Sequence, residues 1–288
     1  MIHTIKTILH EMGDTSHLID VQPVPGGDIS QAFEVRTENN HCFIKINRNA
    51  VPDFFQKEAY GLQQLRQAGA LSVPQVYHVS PSSADHGYIV MEWVPTEPAA
   101  DSETKLGRGL ARLHQYTHTY YGLAENNYIG KLPQPNGWEK SWIRFLSEQR
   151  LGFQTKLADE QGMLPAKRKA RLEKLLDRLG QWVPDERRPV LLHGDLWSGN
   201  WLAGPRGTPY LIDPAVFYGQ REFELAFTEL FGGFSPRFYA AYQEVQPLSE
   251  HYEDVRPLYQ LYYLLVHLNL FGETYGPAVD RILRHYVG

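Results

Sequence analysis

Ile5, Ile8 and Leu9 recur at helical spacing and predict a short amphipathic helix over 2–12. Two stretches of strand character follow, DVQPVPGGDISQAFEVRT and HCFIKINR. The first is broken by Gly26-Gly27; the second sets Phe43, Ile44 and Ile46 around Lys45. DFFQKEAYGLQQLRQAG (53–69) returns to helical period, with Asp53 as N-cap, Gln56 three positions on and Gly69 as C-cap. GYIVMEWVP (87–95) is a further apolar strand, ended by Pro95. Beyond it the pattern becomes mainly helical. SETKLGRGLARLHQY places Leu106, Leu110 and Leu113 on one face, and GWEKSWIRFLSEQRL and AKRKARLEKLLDRLGQW are further helices. The basic cluster from Lys167 to Lys174 reads as a solvated helix face. A short apolar strand then leads into HGDLWSGN, a turn at Gly204-Pro205 and the strand PYLID (209–213), and two or more helices finish the chain.

This order predicts an α+β fold of two lobes. A small sheet-rich lobe covers residues 1–95, a larger helical lobe covers 96–288, and the hinge falls near Glu92–Pro95. With 288 residues, 42% of them hydrophobic, the chain can bury a large core. A net charge of -5 gives no electrostatic reason to expect a nucleic-acid partner. One cysteine, Cys42, excludes an internal disulfide and fits a reducing compartment; MIHTIKTILHEMGD has neither the apolar core nor the cleavage site of a signal peptide. The most apolar run, LYQLYYLLVHLNLF (258–271), is shorter than the ~20 residues of a membrane span and contains Gln260, His267 and Asn269, so a buried helix is expected. The chain is expected to be cytoplasmic and monomeric, with neither membrane nor nucleic acid as a partner.

Singly, the polar residues have ordinary explanations. Gly26-Gly27 makes a hairpin turn, a helical Glu58 lies at a surface, Asp213 closes a strand, His193 is a structural hydrogen-bonding residue, and the alternation around Lys45 does not settle its face. Their order changes this. Glycine turn, strand lysine, helix glutamate, apolar strand, Asp195 with Asn200 five positions on, and strand-terminal Asp213 make up the parts of a protein-kinase-like phosphotransferase. Glycine lets backbone N–H groups approach phosphate oxygens, Lys45 neutralises the non-transferred phosphates, and Glu58 holds Lys45. Asp195 accepts the proton of the attacking hydroxyl. Asn200 and Asp213 supply oxygen ligands for Mg²⁺, and Glu92, Trp93 and Val94 present backbone groups to adenine.

HGDLWSGN differs from the protein-kinase catalytic loop and is similar to that of aminoglycoside phosphotransferases and choline kinases. Together with NNYIGKLPQPNGWEKSWIRFLSEQRL (126–151) and IDPAVFYGQREFELAFTELFGGF (212–234), it resembles the fructosamine kinase family, closest to its bacterial members. That resemblance implies a two-lobed kinase-like fold and, with ATP and Mg²⁺, phosphorylation of a small or protein-bound ketoamine at its O3 hydroxyl. The product then eliminates phosphate and frees the amine, a deglycating activity. Bacterial members point to ribulosamine or erythrulosamine more than to fructosamine.

Carried onto this chain, the family's phosphate loop falls on Pro25, Gly26, Gly27, Asp28, Ile29 and Ser30, and its ATP lysine and helix glutamate on Lys45 and Glu58. The hinge falls on Glu92 to Val94, the base on Asp195, the metal ligands on Asn200 and Asp213, and Trp197 walls the sugar site. The alternative is that Trp197 belongs to the core, in which case Trp138 or Trp142 would take that place. Several relatives have glycine and cysteine where this chain has Pro25 and Asp28, and many have histidine where it has Gln220. Without a loop cysteine no thiol switch is expected; Gln220 bears on how the turn from Tyr218 to Glu224 is held. Two other readings are a kinase of another small alcohol (an aminoglycoside, choline or homoserine) and a catalytically inactive nucleotide-binding regulator, the latter disfavoured by the presence of Lys45, Asp195 and Asp213.

Overall fold

Helix α1 (Ile2–Glu11) lays Ile5, Ile8 and Leu9 on one face of an antiparallel sheet, as their spacing predicts. The computed structural model describes residues 1–26, 30–81, 86–185 and 187–288. The sheet comprises β1 (Leu18–Val24), β2 (Gln31–Thr37), β3 (His41–Asn47), β4 (Val76–Val79) and β5 (Gly87–Glu92), in the order β1-β2-β3-β5-β4. Cys42, Ile44 and Ile46 point toward α1, so Phe43 and Lys45 point the other way, toward α2 (Phe54–Ala68). Strand β5 is covered on both faces: Tyr88 and Val90 join the α1 core, while Ile89 and Met91 join the main core. Strand β4, a four-residue edge strand, lies outside the sequence expectation.

Helix α2 ends where expected, at Gly69 in the left-handed conformation (φ 66°). Its start differs. Asp53 occupies the N-cap position, but its side chain bonds no helix N–H; it accepts the Tyr128 hydroxyl instead.

The remainder is mainly helical. It contains α3 (Ser102–Leu113), the short strands β6 (Asn127–Ile129) and β7 (Leu132–Gln134), α4 (Trp142–Arg144), a π-helical segment (Phe145–Gly152), α5 (Phe153–Glu160) and α6 (Ala166–Asp177). Then come β8 (Val190–Leu192), β9 (Trp201–Ala203), β10 (Pro209–Leu211), β11 (Phe217–Gly219), α7 (Arg221–Leu230), α8 (Pro236–Gln243), α9 (Tyr252–Phe271) and α10 (Gly276–Val287). The apolar 258–271 run lies within α9, which buries residues along its whole length. Among the described residues no helix is long and apolar enough to cross a membrane. The main core joins Phe55, Leu62 and Leu65 of α2 to residues of α3, α7 and α9. The solvated-face reading of Lys167 to Lys174 fails at Arg168, which is 3% exposed and holds Glu273 and Asp280.

Cys42 is fully buried, and burial first, then the charge of Asp14, push its thiol up to about 12. Activity is therefore expected to be equal in oxidising and reducing buffers, and a thiol reagent should label the chain only after unfolding. A large, reversible loss of activity on oxidation would contradict this.

Candidate active site

The catalytic-loop motif begins where the fully apolar strand β8 runs out. His193 is completely buried. Its Nε2 lies 2.8 Å from the carbonyl of Ile212 and its Nδ1 3.3 Å from the amide of Asp195. A carbonyl can only accept and an amide N–H can only donate, so the proton sits on Nε2. Burial lowers the pKa of the ring and keeps this neutral tautomer. His193 therefore staples the loop to the end of β10, the structural role its sequence context suggests.

Gly194 has φ +85°, and a Cβ there would lie 2.0 Å from the carbonyl of Ala215. Only glycine lets the loop pass that close. Its N–H donates to Glu224 Oε1 at 2.6 Å, and the His193 N–H donates to Glu224 Oε2 at 3.2 Å. Glu224 is fully buried; burial alone would raise its pKa, but bonds from His114 (2.9 Å to Oε2) and Gly194 outweigh it and keep the carboxyl low. From α9, Tyr263 closes the frame by donating to the carbonyl of Gly194 at 3.0 Å. Sequence reasoning missed both residues. For Glu224 a signal existed: a carboxylate on the same helix face as Phe227 and beside Phe223, where a charge without a buried partner would be costly.

Asp195 follows, partly open to solvent. Asn200 Nδ2 donates to both its carbonyl (2.7 Å) and its Oδ2 (3.0 Å). Burial and, next, the like charge of Asp213 push the Asp195 carboxyl up to about 8, against the pull of Asn200. Trp197 is 44% exposed, so it is not a core residue. Its ring lies over Gly199, where a Cβ would come within 2.3 Å of it; the glycine of Trp-Ser-Gly is what lets the ring lie there. Trp138, 43% exposed, stacks on His118 at 4.4 Å, whereas Trp142 is fully buried and is removed from the candidates for a substrate contact.

Asp213 adopts φ +56°, a left-handed conformation in a non-glycine residue, held between the Ile212 N–H bond to Asn200 O (3.0 Å) and the Ala215 N–H bond to His193 O (2.9 Å). Lys45, on the α2 side of β3, donates to Glu58 Oε1 at 2.8 Å and also to Asp213. Burial opposes the charge of Lys45, but Asp213 and Glu58 outweigh it and hold the ammonium well above its ordinary range. Burial raises the pKa of Glu58 despite Lys45. The ammonium thus stands where a cation would share the charge of Asp213. Since Asn200 turns its amide N–H toward Asp195, its Oδ1 is left as a neutral donor, and the pair suits a hard, oxygen-seeking ion such as Mg²⁺.

At the end of β5, where the sequence predicts the hinge, Glu92 spends its N–H on Gln75 O (2.8 Å) and its carboxylate on Gln75 N (3.1 Å). Trp93 stacks on His41, and Val94 is buried against Gly204. Of the glycine loop, Gly26 has φ +113° and Ser30 lies in a bend before β2; Gly27, Asp28 and Ile29 lie outside the described residues. Both polar atoms of the Gln220 side chain are bonded: its amide nitrogen donates to Pro184 O (2.7 Å) and its oxygen accepts from Tyr259 (2.6 Å).

The sequence profile of the fructosamine kinase family matches residues 1–288. The chain belongs to the fructosamine kinase family. A Lactiplantibacillus plantarum protein named a probable ketoamine kinase is 43% identical over 286 residues, 99% of this chain and 100% of the relative. The crystal structure of a Thermobifida fusca protein assigned as a fructosamine-3-kinase is similar with a TM-score of 0.87 at 31% identity, covering 98% of this chain and 97% of that one. At the level of fold alone, an aminoglycoside phosphotransferase crystallised with AMP-PNP and hygromycin B matches with a TM-score of 0.66 at 19% identity, over all of both chains. The fold is thus protein-kinase-like, and this fructosamine kinase family member is an ATP-dependent phosphotransferase acting on an alcohol group.

Proposed function

We propose that this fructosamine kinase family member phosphorylates the O3 hydroxyl of ketoamines, with ribulosamines and erythrulosamines ahead of fructosamines, and so leads to deglycation of small or protein-bound amines. The observation that carries the reading is the contact of Asp213 with the Lys45–Glu58 pair, next to the loop that is braced on Glu224 and joins Asp195 to Asn200, with Trp197 exposed on the same loop. Lys45 contacts the non-transferred phosphates and Glu58 orients it. Backbone of Glu92 to Val94 is assigned to adenine, and the glycine motif that begins at Gly26 is assigned to the phosphates. Asn200 and Asp213 would hold Mg²⁺, whose contribution is to offset the phosphate charge.

Asp195 accepts a hydrogen bond from the sugar hydroxyl and aims it along the line of the γ-phosphorus. As the new O–P bond forms and the bond to the ADP oxygen breaks, the hydroxyl proton passes to Asp195. The ester then eliminates inorganic phosphate without further help from the chain, and the amine is released.

Turnover of ATP with ribulosyl-, erythrulosyl- and fructosyl-lysine, beside an aminoglycoside, choline and homoserine, tests the substrate class. ADP should appear with the ketoamines alone. Because Trp197 is largely exposed, Trp197→Ala is expected to fold and to raise KM for ribulosyl-lysine about tenfold, the value of one lost stacking contact, with KM for ATP unchanged. Equal effects on both would return substrate choice to residues such as Trp138.

A further inference from the structure

We propose that the β6–β7 hairpin is a fixed brace for the nucleotide site, and that Tyr128 and Asp53 are positioning residues that act through Glu58 and Lys45. The proposal rests on the assignment of Lys45 to the ATP phosphates. The hairpin belongs to the 126–151 stretch, whose sequence identifies the family but to which the phosphotransfer chemistry gives no role.

One side of the hairpin holds helix α2. Tyr128 donates to Asp53 Oδ1 at 2.6 Å, and its ring packs against Phe54 with centroids 5.4 Å apart. A carboxylate at an N-cap position ordinarily bonds its own helix N–H groups; Asp53 gives its oxygen to the hairpin instead. Lys57 reaches Glu125 at 2.6 Å, but Glu125 is half exposed, and such a pair is worth too little to fix a helix.

The other side holds the segment after Asp213. Asn127 Nδ2 donates to Val216 O at 2.9 Å and Gln134 Nε2 to Ala215 O at 3.1 Å. These side chains are themselves locked. Asn127 Oδ1 accepts from Gln134 (2.8 Å) and Asn136 (2.6 Å), and Gln134 Oε1 accepts from Tyr262 (2.7 Å). Arg150, from the π-helical segment, donates to Asn136 Oδ1 at 2.6 Å. Each of the three amide side chains is thus bonded through both its nitrogen and its oxygen, and a buried network tied in this way favours one arrangement.

The two braced parts also touch each other: a Cβ on Gly61 of α2 would lie 3.1 Å from Pro214, the residue after Asp213. Lys45 joins Glu58 to Asp213 at the same place. Helix α2 is thus tied to the hairpin at its N-terminus and packed on the segment after Asp213, so the hairpin holds both partners of the Lys45–Glu58–Asp213 contact. Tyr128, on the hairpin, would tune nucleotide affinity without touching nucleotide.

The test measures MgATP affinity by calorimetry and Tm for the wild-type chain, Tyr128→Phe, Asp53→Ala, Asp53→Asn, Lys45→Met and the Tyr128→Phe/Lys45→Met double variant. Tyr128→Phe keeps the ring on Phe54 and should fold. Tyr128→Phe and Asp53→Ala should each weaken MgATP about three- to tenfold, the range of one ordinary intramolecular hydrogen bond. Asp53→Asn, which keeps an acceptor oxygen, should restore most of the affinity. With Lys45 already replaced, Tyr128→Phe should cost no further affinity, because its path to the phosphates is gone. A fall in Tm with unchanged affinity, or a full additional loss in the double variant, would overturn the brace. Unchanged affinity in Lys45→Met would overturn the phosphate assignment and the brace together, whereas a weak Lys45→Met beside an unaffected Tyr128→Phe would sink the brace alone.

Discussion

Asp195→Asn should lower kcat by about 10²–10⁴-fold while MgATP still binds, the range that general-base catalysis supplies. The substitution is nearly isosteric. Asn200 Nδ2 now donates to Asp195 Oδ2 and could donate equally to an amide oxygen, so the loop keeps its shape. What is lost is the site that takes the hydroxyl proton. If Asp195 served only to form the turn, Asn would serve as well and the change would be nearly silent. Single-turnover kinetics beside calorimetric MgATP binding separates the two: the account expects the first to collapse and the second to hold.

Asp213→Asn should cost on the order of 10³-fold in turnover, since the phosphates lose the charged ligand of their cation and several kcal/mol of charge stabilisation. Asparagine is the informative replacement because residue 213 sits at φ +56°, which Asn tolerates; alanine there adds about 1–2 kcal/mol of backbone strain. Asp213→Ala should therefore lose both stability and turnover, and Asp213→Asn mainly turnover. Removing the Asp213 charge also frees Lys45 from one of its two carboxylate partners. A Mg²⁺ titration checks the assignment: near-normal turnover of Asp213→Asn at saturating Mg²⁺ would show that the metal is held elsewhere.

What the sequence made legible was local. HGDLWSGN is one loop between two short strands, and Asp213 comes one short hairpin later, so chemistry and spacing could be read from 21 consecutive positions, 193–213. The α2 terminus at Gly69 and the α1 face were legible for the same reason, being set by residues within a turn or two. The rest depended on partners far along the chain. The face of Lys45 was decided by Asp213, 168 residues away, and by Glu58. Asp53 looked like a cap because local pattern offers it its own helix; the hairpin, 75 positions on, won the carboxylate. Arg168 looked solvated within a basic run until Glu273 and Asp280 folded over it. Glu224 entered only as the end of the turn from Tyr218, although two loop N–H groups converge on it. Trp197, left open between core and site, stays out of the core because its ring lies over Gly199, which carries no side chain; this too depends on a three-residue contact that periodicity does not reveal.

The central claim is that Asp195 directs the γ-phosphate to O3 of a ketoamine. Its most direct test is phosphorus–proton correlation NMR on the product of ribulosyl-lysine, MgATP and the protein, followed over time. The account predicts a phosphorus signal coupled to the proton on C3, which then decays into inorganic phosphate as free lysine appears. A stable ester, or phosphorus coupled to any other sugar proton, would contradict it.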